Sequence, residues 1–209
     1  MFPELLTDTT SYFRQRVKYP TLRAQVIMVT LAGLAANAWR IALLVTLGAA
    51  ATYVEAPLYI TTAIGLIEVF VLWGLGTAVV HLVASSLGGD SSYGQLLRLT
   101  GYGFAPIVVG GAIWSAGWYL ALQSVEPPAP PGDRRFVAAY VSLQNYLGQA
   151  AGDPVLLAGL AIGAVFVAVG GCFWYRAVRV VTGIGEGPAA IAAGLPLAAY
   201  VAWEFVQAI

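Results

Sequence analysis

Residues Leu58 to Leu87 read LYITTAIGLIEVFVLWGLGTAVVHLVASSL, a stretch of thirty residues in which Glu68 is the only acidic group and no lysine or arginine occurs. A helix needs about 20 apolar residues to cross the hydrocarbon core of a bilayer. The segment is long enough and apolar enough to do so. It therefore predicts a transmembrane helix.

Four further stretches have the same character and are separated by short polar or glycine- and proline-rich breaks. They cover residues 24–48, 103–123, 154–178 and 188–206. Over the whole chain 59% of residues are apolar and 10% are charged, and the mean hydropathy is +0.79. Because a soluble domain carries roughly a quarter charged residues, this chain could not cover a water-facing surface. The sequence predicts an all-α polytopic membrane protein with five transmembrane helices.

Short amphipathic helices are expected at the membrane surface beside these spans. Residues 1–23 predict a cytoplasmic amphipathic arm in which Asp8 caps a helix and Phe13 and Val17 form its apolar edge. Residues 24–209 then form the five-span membrane domain. Arg14, Arg16 and Lys18 of the arm are expected to lie near lipid headgroups.

Two more interfacial helices are predicted between the spans. One covers residues 91–100, where Asp90 or Ser91 is the expected cap. The other begins after Asp133 and ends near residue 147, and we expect it to lie flat on the outer surface. Its apolar stripe is formed by Phe136, Tyr140, Leu143 and Leu147.

The distribution of basic residues predicts the orientation. With the N-terminus inside the cell, seven lysine and arginine residues are cytoplasmic and two are outside. The inside group is Arg14, Arg16, Lys18, Arg23, Arg98, Arg176 and Arg179, and the outside group is Arg134 and Arg135. Because short cytoplasmic loops are enriched in basic residues, we expect a multi-pass protein of the cell membrane with its N-terminus in the cytoplasm and its C-terminus outside.

Composition argues against several classes of function. Ten basic and ten acidic residues cancel, so no basic face is available to bind nucleic acid. Cys172 is the only cysteine, and the only histidine, His81, has no Cys, Asp or Glu three or four residues away, so no metal site is expected. No nucleophile stands at a defined spacing from a base. We therefore expect neither an enzyme nor a cofactor.

Three charged residues, Arg40, Glu68 and Glu204, fall inside predicted spans. A charge in lipid is costly unless it is paired or reaches the headgroups. Arg40 either extends to headgroups or pairs with Glu204 or Glu68. Glu68 is either a proton or cation site or a structural, hydrogen-bonded acid, and the structural interpretation is favoured because a single acid makes a poor ion pathway.

The most distinctive stretch is the predicted cytoplasmic turn His81–Pro106, HLVASSLGGDSSYGQLLRLTGYGFAP. Its order of helix, Gly-Gly-acid, short helix, Gly-Tyr and a proline in the next span resembles the Yip1 domain family. The segment Val181–Gly185 is similar to the second cytoplasmic turn of that family, although Gly185 stands where many relatives have serine. Pro20-Thr21-Leu22 resembles the start of prokaryotic members.

The resemblance extends over essentially the whole chain and implies five transmembrane helices with a cytoplasmic N-terminus. It also implies a membrane scaffold, since eukaryotic members act in vesicle traffic and contact prenylated GTPases. Those members use a long soluble N-terminal region that has no counterpart in the arm, so their partners are not carried over.

The preferred hypothesis is thus a non-enzymatic scaffold that binds an unidentified membrane or cytoplasmic protein partner through its cytoplasmic turns. The expected partner-binding residues are Gly88, Gly89, Asp90, Tyr93, Arg98, Gly101, Tyr102 and Pro106. The alternative is a small ion or solute channel or transporter that uses Glu68 and Arg40. Gly159 with Gly163, and Ala164 with Ala168, form small-xxx-small pairs that permit close helix packing within one chain or in a homo-oligomer.

Overall fold

A computed structural model describes residues 8–16, 21–90, 92–128 and 136–208, with side chains other than those of residues 9, 16, 49, 53, 136–139 and 199–208. The fold is all-helical: 89% of the residues are in helices and the described residues form no strand. The α-helices are α1 (Thr9–Arg16), α2 (Arg23–Leu47), α3 (Glu55–Ser86), α4 (Tyr93–Thr100), α5 (Phe104–Gln123), α6 (Phe136–Ala151), α7 (Pro154–Thr182) and α8 (Glu186–Ala208). Short 3-10 segments cover Gly48–Tyr53 and Gly101–Gly103.

Four helical segments are long and apolar enough to cross a membrane. They are α2, α3, the continuous stretch Tyr93–Gln123 that contains α4 and α5, and α7. They coincide with four of the five predicted spans. Helix α8 covers the position of the fifth, but the side chains of its last residues lie outside the described part of the chain, so a fifth span stays a prediction.

The outward faces of these helices are apolar. On α3, Ile60, Ile64, Ile67, Leu75 and Leu82 are each more than half exposed. A soluble monomer rarely exposes so large a continuous apolar patch, whereas a helix in lipid needs one. The burial pattern therefore agrees with the membrane protein that the composition predicts.

The described residues divide into two compact units. Unit 1 comprises Met1–Thr30, Val69–Pro106 and Val167–Ile209, and unit 2 comprises Leu31–Glu68 and Ile107–Phe166. Each of the four long segments contributes residues to both units. The predicted turn Gly88–Tyr102 belongs wholly to unit 1.

In unit 2, helices α2 and α5 approach so closely that a serine bonds to the backbone of the neighbouring helix. The Ser115 hydroxyl donates to the carbonyl of Ala35 at 2.6 Å and accepts from the N–H of Trp39 at 3.1 Å. These are the two groups that pair with each other in an uninterrupted α-helix. Gly111, one turn earlier on α5, makes the approach possible, since a Cβ there would lie 2.9 Å from the backbone nitrogen of Ala36.

Helices α5 and α7 also pack through glycines in unit 2. A Cβ on Gly159 would lie 3.5 Å from the Cα of Gly117, and one on Gly163 would lie 3.5 Å from the carbonyl oxygen of Gly110. The predicted pair Gly159 and Gly163 thus packs within the chain. The other predicted pair, Ala164 and Ala168, is exposed in this structure.

Helix α6 buries part of the predicted stripe. Leu143 is buried and Leu147 is half-buried against the same core, but Tyr140 is exposed and the side chain of Phe136 lies outside the described residues. Tyr146 and Ala150 complete the buried face, and the Tyr146 hydroxyl donates to the carbonyl of Leu122 at 2.7 Å. Leu122 lies in the last turn of α5, where carbonyls lack helical partners, so this hydrogen bond rotates the buried face of α6 toward Tyr146.

Replacing Gly111 by alanine should destabilise the protein, because the added methyl group meets rigid backbone of α2. Overpacking of this kind costs about 1–3 kcal/mol. The free energy of unfolding in detergent micelles, measured by denaturant titration, tests this. Gly148→Ala is the matched control, because nothing lies within 4 Å of a Cβ at Gly148. Equal stability of the two variants would contradict the proposed close packing of α2 and α5.

Candidate functional site

The turn that follows α3 has a glycine-dependent geometry. Gly88 has φ +84°, in the left-handed region that favours glycine. The N–H of Gly89 donates to the carbonyl of Ala84 at 2.9 Å and that of Gly88 to Ser85 at 3.1 Å. This pair of bonds is the Schellman arrangement that ends helices at glycine. The predicted role of the two glycines, to end the second apolar helix, is confirmed.

Because Gly89 has no side chain, the two predicted cytoplasmic turns can pack closely within unit 1. A Cβ at Gly89 would lie 3.0 Å from both Ile184 and Thr182. Thr182 ends α7, and Ile184 belongs to the segment that sequence similarity indicated as the second turn. The two turns therefore pack directly against each other.

Helix α4 begins at a serine other than the predicted cap. The Ser92 hydroxyl accepts from the N–H of Gln95 at 3.3 Å, whereas Asp90 is exposed and Ser91 lies outside the described residues. The prediction that Asp90 or Ser91 caps this helix is wrong. Ser92 and Gln95 have the spacing of a capping box, a signal in the sequence that identifies Ser92.

A buried hydrogen-bond network attaches α4 to α3. The Trp73 indole N–H donates to the carbonyl of Leu97 at 3.1 Å and lies 3.3 Å from the Thr100 hydroxyl. The hydroxyls of Thr77 and Thr100 are 2.8 Å apart. These residues were not among the predicted site residues. Trp73 and Thr77 lie one turn apart on α3, which was the available signal that both face the same neighbour.

Tyr93 provides a second attachment of α4 to α3. Its hydroxyl donates to the carbonyl of Gly74 at 3.1 Å, and its ring meets that of His81 edge-on with centroids 6.3 Å apart. Tyr93 nevertheless remains 38% exposed. It is therefore both anchored and accessible.

The Gly101–Gly103 segment is buried. A Cβ at Gly101 would meet the side chain of Gln25, and one at Gly103 would meet the indole of Trp174. Tyr102, between them, is only 2% exposed. Its ring lies 5.4 Å from that of Tyr12 and 6.1 Å from that of Phe13.

The structure thus divides the predicted partner-binding set. Gly88, Asp90 and Tyr93 are exposed, and Gly89 and Arg98 are half-buried. Gly101, Tyr102 and Pro106 are buried and serve packing in unit 1, so they cannot touch a partner in this conformation. Their burial follows from the two glycines that flank Tyr102, which let the backbone come close to Gln25 and Trp174.

Helix α1 begins at the predicted cap. The Asp8 carboxylate accepts from the N–H of Ser11 at 3.1 Å. Tyr12 and Phe13 are buried against Leu99, Tyr102, Phe173 and Ala177. The predicted apolar edge thus contains Phe13 but packs on unit 1, whereas Val17 lies outside the described residues.

In unit 2, Arg40 is bonded to an asparagine that the sequence prediction missed. Arg40 donates to the Asn37 side-chain oxygen, and its guanidinium lies 4.9 Å from the ring centre of Trp39. The buried Asn37 also donates to the carbonyl of Gly33 at 2.8 Å and packs against Gly65. Its spacing of three residues from Arg40 was the available signal.

Glu68 lies three residues after Gly65 on α3 and is half-buried. Among the described residues it forms no ion pair, so the pairing of Arg40 with Glu68 that was one of the alternatives is not present in this structure. The side chain of Glu204 lies outside the described residues, and its pairing with Arg40 stays a prediction. The described residues contain no cluster of three or more His, Cys, Asp or Glu side chains suited to a metal ion.

Long apolar helices with apolar outward faces and glycine-mediated packing define a helical integral membrane protein. The family model described as the Yip1 domain matches residues 4–206, nearly the whole chain, and the protein belongs to the Yip1 domain family. No curated protein and no solved structure matches the chain.

The cap of α1 should make the order of this helix sensitive to acid. Hydrogen bonds from the Ser11 hydroxyl and N–H hold the pKa of Asp8 below its ordinary value of 3.8. A lowered pKa contributes stability that is present above the ordinary value and is lost as the pH falls through the folded value. We expect amide hydrogen exchange in Thr9–Arg16, corrected for its intrinsic pH dependence, to accelerate below about pH 4.

Two substitutions separate charge from capping at this position. Asp8→Asn keeps a good cap and should abolish the acid transition, whereas Asp8→Ala should accelerate exchange at every pH. An acid transition of the same size in Asp8→Asn would show that another group is responsible.

Proposed function

We propose that this protein is a non-enzymatic membrane scaffold that binds a protein partner through an exposed turn surface, formed by Gly88, Asp90, Tyr93 and Gly94. The observation that carries the proposal is the set of hydrogen bonds that builds this surface. A plain connector between two spans needs a few polar residues. Here a Schellman turn, a serine cap and two attachments to α3 fix the surface in one geometry.

Fixed geometry favours recognition, because a preorganised surface loses little conformational entropy on binding. The buried bonds of Trp73 and Thr100 lie beneath α4, whereas its first residues, Tyr93 and Gly94, are exposed. The side that faces α3 therefore gives stability, and the exposed side is free to bind.

The second turn adds two charged side chains beside the turn surface. Arg179 and Glu186 form an ion pair of 2.9 Å, with side chains 43% and 75% exposed. An exposed pair of this kind contributes little to stability. Both groups are accessible to a partner, and the contact of Gly89 with Ile184 keeps this turn beside the first.

The alternative, a channel or transporter that uses Glu68 and Arg40, has weaker support. Threonine hydroxyls in the long helices bond to carbonyls of their own helix, as Thr62 does to Leu58 and Thr182 to Val178. Asn37 likewise bonds to Gly33. Polar groups whose hydrogen bonds are made locally offer few ligands to a moving ion, so we favour the scaffold.

We further propose that the turn surface is cytoplasmic and that the protein lies in the cell membrane with its N-terminus inside and its C-terminus outside. The support is the distribution of basic residues: seven belong to the side that holds α1 and the turns, and two belong to the opposite side. Five spans, with α8 as the fifth, are part of this topology.

Single cysteines in a Cys172→Ser background test the topology. Gln15 and Tyr140 are both exposed, so Gln15→Cys and Tyr140→Cys should each accept a maleimide. We expect an impermeant maleimide to label position 140 in intact cells and position 15 only after lysis. Labelling of position 15 from outside would contradict the proposed orientation.

Added bulk on the turn surface should release the partner. Nothing lies within 4 Å of a Cβ at Gly94, so Gly94→Trp covers the surface without disturbing the packing beneath it. Gly152→Trp is the control, because Gly152 is equally open but lies between α6 and α7. We expect proteins that co-purify in mild detergent with the wild type and Gly152→Trp to be lost at least about tenfold from Gly94→Trp, as expected when an interface centre is blocked.

The comparison requires that both variants reach the membrane in equal amounts and elute as the wild type does in size-exclusion chromatography. Retention of every co-purifying protein by Gly94→Trp would remove the turn surface from consideration as the binding site.

A further inference from the structure

Three exposed arginines lie around the buried aromatic cluster that attaches α1 to unit 1. They are Arg14, Arg23 and Arg176, which we call the basic rim. Each is next in the chain to a residue that belongs to the cluster or packs against it: Phe13, Ala24 and Ala177. Because these neighbours pack together, α1, α2 and α7 bring three positive charges to one part of unit 1.

The carboxylate of Asp8 lies in the field of two members of the basic rim. Hydrogen bonds from Ser11 are the main cause that holds the pKa of Asp8 below its ordinary value, and the charges of Arg14 and Arg176 lower it further. Because both arginines act on one carboxylate, these residues of α1 and α7 lie near each other. The three guanidinium groups and this carboxylate carry a net charge of +2, so the basic rim favours an anion.

The basic rim lies where the apolar outward surface of the long helices ends. On α2, Val26 and Ile27 are exposed within about one turn after Arg23. On α7, Val169 and Cys172 are exposed before Arg176. Exposed apolar side chains of a membrane protein face the acyl chains, and arginines just beyond them reach the level of the headgroups.

Helix α1 presents polar groups, and not an apolar face, to its surroundings. Tyr12 and Phe13 are buried in the cluster, whereas Asp8, Arg14 and Gln15 are exposed. An amphipathic helix that inserts into a bilayer buries its apolar face at the acyl boundary. In this protein that face is covered by unit 1, so α1 contacts lipid through charged and polar groups.

We propose that the basic rim is a binding site for the phosphate of an anionic phospholipid headgroup. Guanidinium groups suit this ligand because they donate parallel hydrogen bonds to phosphate oxygens. A zwitterionic headgroup carries its own cation, which the positive basic rim repels. The inference is independent of the scaffold function, because it assigns a ligand to residues outside the turn surface.

Competition between two lipids tests the proposal. The full-length protein is equilibrated in detergent micelles with equal amounts of phosphatidylglycerol and phosphatidylcholine of the same acyl chains. The lipids that stay bound through gel filtration are quantified by mass spectrometry, and the readout is the ratio of phosphatidylglycerol to phosphatidylcholine. We expect the wild type to retain phosphatidylglycerol in excess. Equal retention of the two lipids by the wild type would overturn the proposal.

Loss of two arginines of the basic rim should remove most of this preference. In the double variant Arg14→Gln, Arg176→Gln the ratio should fall at least about tenfold, since a basic residue near anionic headgroups contributes about fivefold, or about 1 kcal/mol. The double variant Arg134→Gln, Arg135→Gln is the matched control, because it removes the same charge from the segment between α5 and α6. An equal fall in both double variants would contradict a site at the basic rim.

Asp8→Asn changes the charge in the opposite direction. It removes the carboxylate beside the basic rim and keeps a good helix cap, so the ratio should rise by up to about fivefold. A disturbed α1 would lower the ratio instead. An unchanged or lower ratio in Asp8→Asn would therefore overturn the electrostatic site.

Salt and free phosphate distinguish the headgroup from other ligands. Because exposed charges are screened, raising the salt concentration from about 0.1 M to about 1 M should remove most of the preference of the wild type. A preference that persists at high salt would overturn the proposal. Inorganic phosphate should displace no more phosphatidylglycerol than chloride does at the same ionic strength. Stronger displacement by phosphate would show a site for the free anion and overturn the assignment to a phospholipid.

Discussion

Helices in lipid gain nothing from apolar contact with one another, because lipid tails are as apolar as their side chains. Their association depends on close backbone approach and on hydrogen bonds that the hydrocarbon cannot supply. Both occur at Gly111 and Ser115, where α5 comes within reach of the α2 backbone and bonds to it. The Trp73 and Thr100 bonds fulfil the same requirement in unit 1. Other features of the fold follow from this constraint.

One consequence concerns where function can reside. Several polar side chains within the long helices donate hydrogen bonds to backbone carbonyls of their own helix, as Thr77 and Asn37 do. Exposed charged groups, such as Asp90 and Glu186, lie at the turns. The proposed scaffold function therefore assigns recognition to the turns.

The sequence predicted the parts of the fold that depend on local chemistry. Long apolar stretches gave the helices, Gly88 and Gly89 gave the end of α3, and Asp8 gave the start of α1. Each of these depends on residues within a few positions of one another. The four candidate spans follow for the same reason, since hydropathy is a property of a single segment.

Features that depend on distant residues were not predictable in this way. Burial of Tyr102 requires Gln25, Trp174 and α1 to meet around it, and the buried face of α6 is selected by a carbonyl of α5. The bond between Arg40 and Asn37 is local, but long charged side chains have many alternative partners. The cap at Ser92 was within reach of the sequence, because its spacing from Gln95 is a known signal.

Gly101, Tyr102 and Gly103 are buried, so the most distinctive part of the turn has a packing role. The flanking glycines bring the backbone against Gln25 and Trp174, and this approach places the ring of Tyr102 among Tyr12 and Phe13. The segment thus joins the start of α5 to the arm. The C-terminal end of this turn, Gly101–Gly103, is therefore packed inside unit 1, whereas its N-terminal end is exposed. Both parts meet on α4, whose end packs against the arm through Leu99 and whose first residues, Tyr93 and Gly94, are exposed.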